Sequence, residues 1–96
     1  MKELIERSYK AIRKRGLITD NTSIQEFIDK IQEEFDELKI EFEKGVFLGV
    51  PNEPFYEELI DLITVGIMLL RHHNIDFENK FEKVVIKNEK RALKKS

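Results

Sequence analysis

Apolar residues recur every third or fourth position along most of this chain. Nowhere do they alternate with period two for long enough to build a strand. The pattern predicts four helices. The first spans about Lys2 to Lys14 and stops near Gly16. The second begins after Thr22 or Ser23, where Ser23 and Glu26 have capping-box spacing, and runs to about Lys44 with Gly45 as its left-handed stop. Val46 to Asn52 reads as a loop holding Gly49 and Pro51. Pro54 suits the first turn of a third helix that reaches about His73, with Asn74 as the cap residue. Asp76 caps the fourth, which extends to about Lys94 before a Lys-rich tail expected to fray.

The apolar faces differ. In the second helix Ile24, Phe27, Ile28, Ile31, Phe35, Leu38 and Phe42 form one stripe. Glu34 is expected beside it, with Glu37 and Glu41 one step further round. Asp29, Glu33, Asp36 and Glu43 point elsewhere. The third helix carries apolar residues round most of its circumference, from Leu59 to Leu70. A helix of that kind is buried on several sides, which in so small a chain predicts a second subunit. Asp61 shares a face with Glu58, Val65, Met68 and His72, so its charge is expected in apolar company that calls for a partner or a metal. The fourth helix sets an apolar face (Phe77, Phe81, Val84, Ala92) beside a basic stripe (Lys80, Lys83, Lys87, Arg91, Lys94). Asn88 falls within the apolar face, where an amide needs a ligand or a neighbouring helix.

Composition narrows this picture. The chain has 96 residues, 41% hydrophobic and 38% charged, which fits one domain spanning 1–96. It has no cysteine, which removes disulfides and thiolate metal sites and accords with a reducing cytoplasm. The opening Met1-Lys2-Glu3-Leu4 is charged, unlike a signal peptide. The longest apolar stretch is too short to span a bilayer. A net charge of −2 argues against binding a nucleic-acid polymer. Acids nevertheless crowd 33–43 and bases crowd 80–95.

The candidate chemistry lies in the acids. Glu34 with Glu37, and Glu58 with Asp61, are each three apart and so share a helix face. Two such helices packed together would gather four carboxylates, an arrangement that needs a cation. Taken alone, Glu34 and Glu37 read equally as a solvated helix face, and the basic stripe as a solvated one. His72 and His73 read as a helix-end feature favoured by the dipole. Phe47, Phe55 and Tyr56 are candidates to stack on a base or to cover a core edge. Four carboxylates without a soft ligand select Mg²⁺ or Mn²⁺. With a basic stripe nearby, they suggest phosphoanhydride cleavage. A di-iron site would want Glu-x-x-His pairs, which neither acidic pair forms.

At this point the residues resemble a family. Lys30-Ile31-Gln32-Glu33-Glu34-Phe35-Asp36-Glu37-Leu38 is similar to the EExxE segment of MazG-like nucleoside triphosphate pyrophosphohydrolases. Glu57-Glu58-Leu59-Ile60-Asp61-Leu62 is similar to their ExxD segment, and Lys87-Asn88-Glu89-Lys90-Arg91 to the K-N-x-x-R-like segment of their last core helix. The resemblance spans roughly Ile24 to Arg91 in the same order. It implies an all-α, four-helix bundle whose core is completed by a homodimer or homotetramer. It also implies Mg²⁺-dependent hydrolysis of an NTP or dNTP to the monophosphate and pyrophosphate, an activity that in the family clears non-canonical or excess nucleotides. Carried over by position, Glu34, Glu37, Glu58 and Asp61 would bind Mg²⁺, Lys83, Lys87 and Arg91 would face phosphates, and Asn88 would meet base or sugar. The motif assigns no general base; Glu41 is the candidate to orient a water, ahead of Glu33. A phosphoribosyl-ATP pyrophosphatase shares the fold and acid pattern, but Asp61-Leu62-Ile63-Thr64-Val65 lacks the aromatic-His pair expected after the acid. A non-catalytic helical oligomerisation module is the rival of another class.

Overall fold

A computed structural model describes residues 1–45 and 52–95, with the side chain of Lys95 excepted. The described residues form four α-helices and no strand: α1 Lys2–Lys14, α2 Ile24–Gly45, α3 Glu53–His72 and α4 Phe77–Lys95. The loop expected over Val46–Asn52, including Phe47, Gly49 and Pro51, lies outside the described residues except for Asn52.

Most of the described boundaries have a local cause. Gly16 adopts φ +78 at the end of α1. There its N–H bonds Arg13 O and the Leu17 N–H reaches back to Ile12 O, closing the orphan carbonyls of the last turn. Ser23 Oγ accepts from the Glu26 N–H at 3.1 Å, the first half of the expected capping box. Asn52 Oδ1 caps α3 by accepting from the Phe55 N–H at 3.2 Å. Asn74 takes the left-handed conformation at φ 57. Its N–H and that of Ile75 bond Arg71 O and Leu70 O, repeating the closure seen at Gly16. Asp76 Oδ1 accepts from the Asn79 N–H and starts α4. That helix runs to Lys95.

Helices α2 and α3 make the principal packing. Helix α1 packs on α3, and among the described residues α4 packs closely on α3 alone, with a long Lys2–Asp76 ion pair joining its cap to α1. The core is small: Tyr9, Ile18, Phe27 and Met68, with Ile5, Ile12, Val65, Ile67 and Leu69 packed against it. Tyr9 OH meets His72 Nδ1 at 2.8 Å, and the His72 ring also packs on Phe27. Arg71 pairs with Glu6 and lies 4.4 Å over the Tyr9 ring. His72 is therefore an internal tie between α1 and α3, beyond the dipole feature expected of it.

The broad stripe of α2 divides in two. Phe27 is buried and Ile31 and Leu38 half-buried, whereas Ile24, Ile28, Phe35 and Phe42 are exposed. On α3, Tyr56, Ile60 and Ile63 face outward, and on α4 so do Phe81, Val84 and Val85. A chain this thin offers each helix too few neighbours to cover apolar positions on several sides.

Candidate functional site

The antiparallel packing of α2 on α3 brings three of the four acids together. Glu34, Glu37 and Glu58 each offer a carboxylate oxygen within 4.8 Å of the others. Glu34 lies not beside the inward face of α2 but within it. It is 7% exposed, on the line that runs through Phe27, Ile31 and Leu38. One carboxylate oxygen of Glu34 and one of Glu58 are buried without any hydrogen-bond partner. Buried acceptors are normally satisfied, and three carboxylates this close repel one another. Burial holds the Glu34 carboxyl above its usual range; Lys30 draws it back, and Glu37 adds to the rise.

Asp61 departs from expectation. The helix wheel placed it among apolar residues, but its side chain is exposed and stands apart from the three-acid group. The reason is that α1 and α2 cover α3 at Val65 and Met68, and no other described helix covers it at Asp61, one turn earlier. Asp61 lines the mouth of a cavity of about 620 Å³ that also includes Arg15, Ile18, Phe27, Lys30 and Glu34. It shares a second, shallower concavity with Tyr56, Glu57 and Ile60.

Glu41 is tied to Lys44 at 3.1 Å and is not one of the gathered acids. Glu33, expected to point away, borders the large cavity and pairs with Lys30 at 3.4 Å. The members of the basic stripe, Lys83, Lys87 and Arg91, are exposed, and so is Asn88, which is not buried as the helix wheel suggested. These four side chains border neither of the two concavities that Asp61 lines. Phe55 packs against Phe42 at 6.4 Å and Tyr56 at 5.6 Å, at the edge of the α2–α3 pair.

One residue acquires a place that spacing alone had not given it. Lys30 sits one turn before Glu34, with its Nζ 3.3 Å from Glu34 Oε1. The signal was the i,i+4 spacing of the two residues, obscured by the abundance of such pairs on charged helices.

The donor set is all carboxylate oxygen, two of the oxygens buried and unpartnered, and so suits a hard divalent cation such as Mg²⁺ or Mn²⁺. Among the described residues no helix is long and apolar enough to cross a membrane. No protein-family model, curated protein or solved structure matches the chain.

Proposed function

We propose that this protein is a Mg²⁺-dependent nucleotide pyrophosphohydrolase of the MazG-like kind, cleaving an NTP or dNTP to the nucleoside monophosphate and pyrophosphate. The observation that carries the reading is the group Glu34, Glu37 and Glu58, with its two buried, unpartnered carboxylate oxygens. A purely structural group of acids would turn those oxygens to solvent or to an N–H, because a buried unsatisfied carboxylate is costly. The order of the EExxE-like, ExxD-like and K-N-x-x-R-like segments adds independent support.

In this reading Glu34, Glu37 and Glu58 would hold Mg²⁺, and Asp61, which stands apart from them, would have to approach to complete the set. The bound ion supplies charge neutralisation at the phosphoryl oxygens and lowers the pKa of a coordinated water. The acids would fix the place where the triphosphate lies, and Phe27 and Met68 line the cavity that Glu34 borders. Water oxygen bonds to the α-phosphorus as the α–β bridging bond breaks; the bridging oxygen leaves with pyrophosphate, and the water's proton passes to solvent or to a nearby carboxylate.

The reading includes a homodimer or a larger homo-oligomer. The accessible surface is 7687 Å², whereas a folded monomer of 11.4 kDa is expected to expose roughly 5,800 Å². The Cα radius of gyration is 16.2 Å, against about 13 Å for a compact chain of this length. A second copy seated on the outward faces of α2, α3 and α4 would remove that excess. It would also give the cations of α4 a set of acids to face.

The test is a panel of NTPs and dNTPs offered with Mg²⁺ while pyrophosphate and orthophosphate are followed separately. Pyrophosphate release that disappears in Glu34→Gln and Glu58→Gln supports the reading. Release of orthophosphate alone would refute the bond assignment, and activity that survives both substitutions would refute the metal site.

A further inference from the structure

We infer that Lys30 is a built-in counter-ion: it neutralises Glu34 when no metal is present, and a divalent cation displaces it toward the phosphate chain of the substrate. The inference rests on the metal-site reading above and assigns that site a residue with a second position. Lys30 Nζ bridges Glu33 Oε2 at 3.4 Å and Glu34 Oε1 at 3.3 Å. Glu34 is thus shared: one oxygen turns to the ammonium and the other is buried without a partner. Lys30 lies one helical turn before Glu34 and Glu37 about one turn after it, so ammonium and neighbouring acid approach the same carboxylate from opposite ends.

The burial of the pair is unequal. The Glu34 side chain is 9% exposed and that of Lys30 46% exposed. The acid is therefore held by packing while the ammonium is tethered by a flexible stem with open space beside it. That space is the cavity of about 620 Å³, which Lys30, Glu34 and Asp61 all line. A divalent cation on Glu34 repels the ammonium from Oε1, and a rotation of the stem leaves Nζ in the cavity. An anionic chain bridged to the cation from the open side would meet it there. The fixed cations of α4 border none of this cavity in the same chain, so Lys30 and Arg15 are the positive charges on its wall.

The experiment measures Mn²⁺ binding by calorimetry to the full chain as wild type, K30Q and K30R, and then binding of inorganic tripolyphosphate at saturating Mn²⁺. Tripolyphosphate removes dependence on the base. Lys30 is on an exposed helix surface, and circular dichroism checks that each variant is folded. In K30Q, Mn²⁺ alone is expected to bind about two- to fivefold tighter, the factor an ion pair of this exposure is worth. Tripolyphosphate is expected to bind weaker by a similar factor. K30R, which keeps the charge, is expected to match wild type in both. A Lys30 serving only helix stability leaves both affinities unchanged. Equal Mn²⁺ affinity in wild type and K30Q, or indifference of tripolyphosphate to the substitution, overturns the inference while leaving the metal site standing. Wild type that binds no Mn²⁺ overturns both.

Discussion

Glu34 is stabilised by its helix position and destabilised by its charge. Burial raises its carboxyl above the usual value of 4.5, with Lys30 opposing and Glu37 reinforcing the shift. A raised pKa means that the folded state holds the proton more tightly than the unfolded chain does. The linked stability is fully present below that usual value and is lost as pH rises through the folded one. The proposed Mg²⁺ would bind the ionised form, so its effect would have the opposite slope. The rise in unfolding temperature on adding Mg²⁺, followed by circular dichroism melts, is expected to grow as pH rises above the usual carboxyl value of 4.5. Glu34→Gln should remove that rise and make the metal-free protein more stable at neutral pH by about 1 kcal/mol. A melting temperature that falls in this variant without metal would contradict the account.

The Tyr9–His72 contact gives a second residue-level expectation. Tyr9→Phe loses the part-buried hydrogen bond to His72 and a longer one donated by Arg13 at 3.4 Å, and should cost about 1 kcal/mol in denaturant unfolding. His72→Ala also loses packing on Phe27 and should cost more.

Much of the site could be read from single-helix periodicity, and its limit shows in Asp61. Three-residue spacing correctly put Glu34 with Glu37. The wheel could not say which part of α3 is covered by other helices, and that coverage decides which acid of the Glu58–Asp61 pair turns inward. The Tyr9–His72 and Glu6–Arg71 pairings link α1 to α3 across more than sixty positions. No periodicity within one helix encodes such a pairing.

Helix boundaries, by contrast, are local events and were legible to within a residue or so. Gly16, Ser23, Asn74 and Asp76 each act through bonds to groups within five positions. The element that depends most on such local bonds is α4, since it packs closely on α3 alone. Asp76→Ala removes its cap and a long ion pair with Lys2 at 3.8 Å. It should cost about 1 kcal/mol of helix stability, read as faster amide exchange confined to α4. In wild-type protein held dilute, α4 should already exchange sooner than the α2–α3 pair, because few buried apolar contacts secure it. Protection of α4 equal to that of α3 at all concentrations would argue against this ordering.

At the scale of the whole molecule, surface and core are out of proportion. Among the described residues only four apolar side chains are buried, while Phe35, Phe42, Ile60, Phe81 and others remain exposed. The proposed oligomer predicts an unfolding midpoint that rises with protein concentration, since a partner that binds only the folded form stabilises by mass action. Ile60→Glu, at a position 60% exposed in the single chain, should be nearly neutral for a monomer. In an oligomer with α3 at its interface it should shift the species seen by light scattering to half the mass or less. If the cations of α4 serve the acids of another copy, Glu34→Gln and Lys87→Ala proteins, each inactive alone, should regain up to about a quarter of wild-type activity when mixed and allowed to exchange subunits, as two-site statistics for a two-fold dimer require.

The buried, unpartnered oxygens of Glu34 and Glu58 have a consequence for how the protein responds to selection. If these acids form the proposed metal site, then without a cation almost any neutral residue of similar size in their place gives a more stable fold. A library of single substitutions sorted only for resistance to proteolysis, in chelator and with no nucleotide present, should therefore be enriched at these two positions, where an ordinary core position would be depleted. Repeating the sort in excess Mg²⁺ should reverse the enrichment, locating the site by what evolution has declined to improve.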